Sequence, residues 1–146
     1  MQLKDQNIAI IGGGESGVGA ALLGKKMGAN VFVSDAGALK DQYRKELLEA
    51  NIDFEESGHD FERIVASKYV IKSPGIPAYA PIFKELELKK VPVLSEIEFA
   101  SNFTNAKKVC ITGSNGKTTT TMLVYHIFKN AGLHVAFAGN LSLIHI

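Results

Sequence analysis

The sequence predicts an α/β fold built on parallel sheet, in two consecutive domains. Two observations carry that prediction. Short β-branched apolar runs alternate with helix-like amphipathic stretches along the whole chain. The pattern strand, glycine turn, helix occurs twice, near residue 10 and again near residue 112.

The elements follow in order. NIAII (7–11) and NVFVS (30–34) lack polar alternation, as strands covered on both faces should. Between them SGVGAALLGKKM reads as a helix that Gly28 ends in a left-handed conformation. The stretch 39–50 predicts a helix with Leu39, Tyr43, Leu47 and Leu48 on its apolar side. Residues 52–55 give a weak strand and 67–73 a stronger one. Three prolines make 73–81 a loop, and Pro81 suits the first turn of a helix over 81–90. A short strand over 91–95 leads to SEIE (95–98), a capping box in which Ser95 and Glu98 serve each other's backbone donors. SNFTNAKK (101–108) reads as a linker. It separates a first domain, 1–103, from a second, 104–146, which restarts with KVCIT, a helix over 117–130, Gly132 as its stop and a strand HVAFAG. Met27, Phe54, Phe61 and Phe83 are expected in the core.

Composition narrows the function. The 146 residues are 46% hydrophobic and 21% charged, and sixteen basic side chains against fifteen acidic leave a net charge of +1. No field steers nucleic acid or a membrane surface. Every apolar run falls short of the roughly 18 residues of a membrane span. The opening MQLKDQN has no apolar core and does not read as a secretory signal. The single cysteine, Cys110, fits a reducing cytoplasm and is expected buried in its strand. His59, His126, His134 and His145 share no metal-ligand spacing.

Two glycine loops carry the chemistry. Gly12, Gly14 and Gly17 satisfy G-x-G-x-x-G between two strands, and Asp35 closes the second strand. Taken alone, this is the fingerprint of a Rossmann-like unit that seats a pyrophosphate at a helix N-terminus, as in NAD-binding oxidoreductases or nucleotide-sensing domains. The second loop, Gly113-Ser114-Asn115-Gly116-Lys117-Thr118-Thr119, is a P-loop-type ATP site. Its glycines turn backbone N–H groups toward phosphate, Lys117 supplies a point charge and the Thr118 hydroxyl can ligate Mg²⁺. It departs from the general pattern, because Ile111 stands where the first glycine belongs and Gly113 precedes Gly116 by only three positions.

The shortened loop TGSNGKTTTT resembles the ATP motif of the Mur ligases and of folylpolyglutamate synthase. IIGGGESGVG, VSDAG, KSPGI, SEIE, ITGSNGKTT and AGN extend the likeness, in the expected order, over residues 1 to about 140. Asn115, where the L-alanine-adding branch carries histidine, and the Rossmann-like opening point to the D-glutamate-adding branch. The resemblance implies a Rossmann-like domain that holds the UDP end of UDP-N-acetylmuramoyl-L-alanine, followed by the start of a P-loop ATPase-type domain. It implies substrate contacts from Glu15, Ser16, Asp35, Ala36, Gly37, Ser73, Pro74, Gly75 and Asn140, and catalytic roles for Lys117 and Thr118. The implied reaction is ATP-dependent amide formation in peptidoglycan synthesis, by a cytoplasmic monomer. ATP phosphorylates the L-alanyl carboxylate and the D-glutamate amine attacks the acyl phosphate. A further acidic Mg²⁺ ligand, a histidine, a carbamylated lysine and a D-glutamate-binding domain belong to the family beyond Ile146. The chain is therefore expected to be an inactive fragment. The family pattern after AGN continues isoleucine-glycine, so LSLIHI (141–146) is expected to be foreign sequence.

Overall fold

In the computed structural model β1 (Asn7–Ile11) is the middle strand of a five-stranded sheet. Residues 1–77 and 79–137 are described. The chain divides into two units, Met1–Asn105 and Ala106–Ile146.

In the first unit β2 (Asn30–Ser34) and β3 (Asp53–Glu55) lie to one side of β1, and β4 (Tyr69–Lys72) and β5 (Val93–Ser95) to the other. All four pairings are parallel, with Ile8 opposite both Val31 and Tyr69. Ile8, Ala9, Ile10 and Ile11 are completely buried. Their side chains alternate between two cores, which explains an apolar run without polar alternation. Ile8, Ile10, Val31, Val33 and Ile71 pack on one face with Val18, Ala21, Leu47 and Phe99. Ala9, Ile11, Phe32 and Val70 pack on the other with Ile64 and Leu86. Each fully buried aliphatic chain contributes about 1.5–3 kcal/mol of transfer free energy.

The helices supply those covers. α1 (Glu15–Lys26) ends where Gly28 takes φ +84°, as the sequence predicts. Gly24 lets α1 lie close on the sheet, since a Cβ there would stand 2.6 Å from Ile8 Cδ1. α2 (Asp41–Glu49) buries Leu47 but leaves Leu48 60% exposed, against the expected stripe. Adjacent positions point about 100° apart on a helix, and only one of the two leucines can face the sheet. Met27, expected in the core, is 40% exposed beyond the end of α1. α3 (Phe61–Val65) has no counterpart in the sequence reading; its five residues are too few for a periodic signal, and it is capped by the Asp60 carboxylate accepting from Arg63 N–H at 3.0 Å. Phe54, Phe61 and Phe83 are half-buried. α4 (Pro81–Leu88) begins on its proline, and α5 (Glu96–Ser101) carries the full capping box of Ser95 and Glu98.

The second unit contains α6 (Lys117–Asn130), which starts after Gly116 at φ +75° and stops before Gly132 at φ +78°. No strand forms over 108–112 or 134–137. A parallel strand exists through its ladder partners, and the described residues of this unit provide none. Cys110 is accordingly exposed rather than buried. Asn140, the end of HVAFAG and the tail 141–146 lie outside the described residues.

Chain order places β1→β2→β3 in one direction and β4, β5 in the other. The sheet therefore reverses between β1 and β4, where the carboxyl ends of the strands open a crevice suited to ligands.

Candidate functional site

Gly12 leaves β1 at φ +98°, its N–H donating to Ser34 O at 2.8 Å. A Cβ at Gly17 would stand 1.8 Å from Gly12 O, so α1 can begin this close to the strand only on glycine. Gly14 caps the helix in extended conformation without a side-chain bond. The first intrahelical bond of this turn runs from Val18 N–H to Gly14 O at 2.9 Å. The N–H groups of Glu15, Ser16 and Gly17 precede it, so the positive end of the helix faces outward. Glu15 and Ser16 are exposed there.

Two side chains tie this turn to the neighbouring loops. Asp35, just past β2, accepts from Gly13 N–H at 2.7 Å through Oδ2 and from Gly37 N–H at 2.8 Å through Oδ1. Ser73, just past β4 and 8% exposed, donates from Oγ to Gly12 O at 3.1 Å. Its own N–H donates to Ile11 O at 3.0 Å. Ala36, Gly37, Pro74 and Gly75 are exposed around these two anchors. The structure thus gathers Glu15, Ser16, Asp35–Gly37 and Ser73–Gly75 at the carboxyl ends of three adjacent strands. Within the set, Asp35 and Ser73 hold backbone.

A neighbouring network escaped the sequence reading. The Glu56 carboxylate accepts from Leu39 N–H at 2.6 Å and from Arg44 Nε and Nη2 at 3.2 and 2.8 Å. The Arg44 hydrogen bond, then the Leu39 N–H, hold the Glu56 carboxyl below its ordinary value, and Arg44 is raised by the same partner. Ser34 is wholly buried and bonded to Glu55 and His59. The available signal was Ser34 itself, a hydroxyl ending an apolar buried strand, which needs a partner.

At the opposite, amino edge of the sheet a cavity of about 270 Å³ is lined by Asn7, Asn30, Asp53 and Arg63 among others. Its charged groups serve the protein itself, with Arg63 Nη2 donating to Asp53 at 2.6 Å and Lys25 Nζ to Asn51 O at 2.9 Å. The free helix end lies at the carboxyl edge, not here.

In the second unit, Lys117 Nζ turns back to donate to Gly113 O and, at 3.2 Å, to Ser114 O. Gly113 has φ +153°, and a Cβ at Gly116 would meet no atom within 4 Å. Asn115, Thr118 and Thr119 are exposed, and the first helical bond shown is Thr120 N–H to Gly116 O at 2.9 Å. A lysine cation, free helical N–H groups and hydroxyls around an open turn form a donor set that fits a polyphosphate with its Mg²⁺. Among the described residues no group of three His, Cys, Asp or Glu could hold a metal. No described helix is long and apolar enough to cross a membrane.

Comparison with known proteins bears on both loops. The family profile described as the MurD N-terminal domain matches residues 7–82, 76 of the 146. The chain belongs to the MurD family. The profile of the Mur ligase middle domain matches residues 111–143. Among curated MurD-family relatives, the UDP-N-acetylmuramoylalanine–D-glutamate ligases of Bacteroides fragilis and Bacteroides thetaiotaomicron are 53% and 54% identical over 137 residues. That is 94% of this chain and 31% of each relative, so the chain spans under a third of their length. A murein peptide ligase from Psychrobacter arcticus shares the fold at TM-score 0.62 and 26% identity, over 87% of this chain and 27% of that one. MurC from Thermotoga maritima, 23% identical, does so at TM-score 0.58 over 87% of this chain and 30% of its own.

Proposed function

We propose that residues 1–103 are the UDP-sugar-binding domain, and 104–146 the beginning of the ATP-binding domain, of a cytoplasmic, monomeric ligase. That ligase joins D-glutamate to UDP-N-acetylmuramoyl-L-alanine in peptidoglycan synthesis. The observation that carries this reading is the exposed N-terminus of α1, framed by the Asp35 and Ser73 loops at the sheet's switch point. Backbone N–H groups and a helix dipole suit a pyrophosphate whichever nucleotide bears it. The Gly116-Lys117-Thr118 loop, which an NAD-binding reading leaves unexplained, weighs against NAD. Asp35 holds the Gly13 and Gly37 N–H groups in place at the rim.

In this reading Glu15 and Ser16 line the diphosphate, and Ala36, Gly37, Pro74 and Gly75 line the nucleoside side. Asn140 is a further substrate contact. Gly113 to Thr119 seat ATP, with Lys117 releasing its carbonyl partners to meet phosphate and Thr118 offering its hydroxyl to Mg²⁺. When bound, ATP supplies the phosphoryl group that activates the L-alanyl carboxylate for attack by the D-glutamate amine. The near-balance of sixteen basic and fifteen acidic residues suits small-molecule partners rather than nucleic acid or a membrane.

Calorimetric titration of the 146-residue chain tests the reading. UDP-N-acetylmuramoyl-L-alanine is expected to bind saturably at one site and NAD to give no heat of binding. Binding of NAD without the UDP-sugar would reverse the assignment.

A further inference from the structure

The end of β3 and the loop that follows it are bonded to the Asp35–Leu39 rim at four consecutive residues, Glu55 to Gly58. Asp35 N–H donates to Glu55 O at 3.2 Å, Ser57 N–H to Gly37 O at 3.1 Å and Gly58 N–H to Asp35 O at 3.3 Å. Glu56 takes the Leu39 N–H. Beneath these contacts lies the buried Ser34 hydroxyl. It donates to Glu55 Oε1 at 2.6 Å, and the same oxygen accepts Asp60 N–H at 2.6 Å. His59 Nδ1 also reaches Ser34 Oγ. A hydroxyl has one proton, and the Glu55 carboxylate at 2.6 Å takes it in preference to Gly58 O at 3.4 Å. The His59 nitrogen must then be the donor, which fixes the proton on Nδ1.

We propose that residues 55–60 are a brace for the nucleotide-binding rim, with His59 as the positioning residue that locks it through Ser34. The inference rests on the reading of this edge as a nucleotide seat. His59 closes the end of the loop: its ring clamps the backbone of Gly58 and Asp60 against β2 and thereby keeps Gly58 N–H and Ser57 N–H on the Asp35–Gly37 segment. That segment in turn carries Gly13 through Asp35, so the brace reaches the turn in front of α1. A merely stabilising contact would be replaceable by any ring of similar bulk. A positioning contact needs a donor at the place of Nδ1, which the asparagine side-chain amide supplies and phenylalanine does not.

Three variants of the 146-residue chain test this: His59→Phe, His59→Asn and Ser34→Ala. Amide exchange is followed at Gly37, Ser57 and Gly58, with Ile8–Ile11 as internal reference, and UDP is titrated as the probe. H59F and S34A are expected to speed exchange at the three rim amides by about tenfold, equivalent to losing one hydrogen bond of ordinary strength, and to weaken UDP by about as much. H59N is expected to stay within about twofold of wild type on both readouts. A folding defect in H59F is separable because it would speed exchange at Ile8–Ile11 as well as at the rim. Unchanged rim exchange in H59F, or H59N behaving as H59F does, overturns the brace. Faster rim exchange with undiminished UDP affinity overturns its role in positioning. Failure of the wild-type chain to bind UDP defeats the nucleotide reading instead, while the exchange arm still judges the brace.

Discussion

Gly13 and Gly17 stand four positions apart and meet different obstacles. A Cβ at Gly17 would press a backbone oxygen, Gly12 O, at 1.8 Å, whereas one at Gly13 would meet Leu39 Cδ2, the end of a side chain, at 2.0 Å. Backbone cannot rotate away, and the gain in helix propensity from alanine, under about 1 kcal/mol, is too small to compensate. Gly17→Ala is therefore expected to cost about 3 kcal/mol and Gly13→Ala about 1 kcal/mol, in chemical denaturation of the two variants. Equal losses would show that α1 slides as a body. Asp35→Ala removes the acceptor of the buried Gly13 N–H. It is expected to cost about 1–3 kcal/mol and to weaken UDP-sugar binding, read by calorimetry. Sequence spacing alone marked Gly12, Gly14, Gly17 and Asp35. It did not distinguish a carboxylate that touches ligand from one that holds two backbone donors, because that difference lies in where Gly13 and Gly37 point.

Elements were legible where their signals are local. The capping box of α5 is written in four consecutive residues, and the structure forms it: Glu98 Oε2 accepts Ser95 N–H at 2.8 Å and Ser95 Oγ accepts Glu98 N–H at 3.2 Å. Ser95→Ala is expected to cost about 1 kcal/mol, seen as a lower thermal midpoint. The loop 55–60 was illegible for the opposite reason. Glu56 serves Leu39 and Arg44, twelve or more positions away, and no local pattern announces such partners. That contact has a pH signature. The Glu56 carboxyl is held below its ordinary 4.5, chiefly by the Arg44 hydrogen bond. A depressed carboxyl contributes stability that is fully present above its unfolded value and is lost as pH falls through its lower folded value. The thermal midpoint of wild type should therefore exceed that of Glu56→Gln by a constant margin above about pH 6, and the margin should close as pH falls below 4.5. A margin independent of pH would mean that Arg44 gains nothing from the charge.

At the scale of the molecule, burial separates the two units. Among the described residues, every buried hydrophobic one, from Leu3 to Phe99, belongs to Met1–Asn105, and α6 buries none of its fourteen residues. Leu123, Ile127 and Leu133 are 59%, 54% and 57% exposed. The sequence predicted α6 residue for residue, because glycine punctuation and helix propensity are local. It also predicted strands at 108–112 and 134–139 that the described residues do not form, because a strand depends on neighbours that its own letters do not contain. An isolated helix of fourteen residues is marginal in water, and most helical stability in proteins comes from packing. Amide exchange by NMR is therefore expected to find α6 opening far more readily than β1 and β4, by about two orders of magnitude or more. Lys117→Ala should leave that contrast, and UDP-sugar binding by the first unit, unchanged within about twofold, since the bonds Lys117 makes go to Gly113 O and Ser114 O of its own loop. Protection of α6 equal to that of β1 would mean that its apolar side is covered in solution.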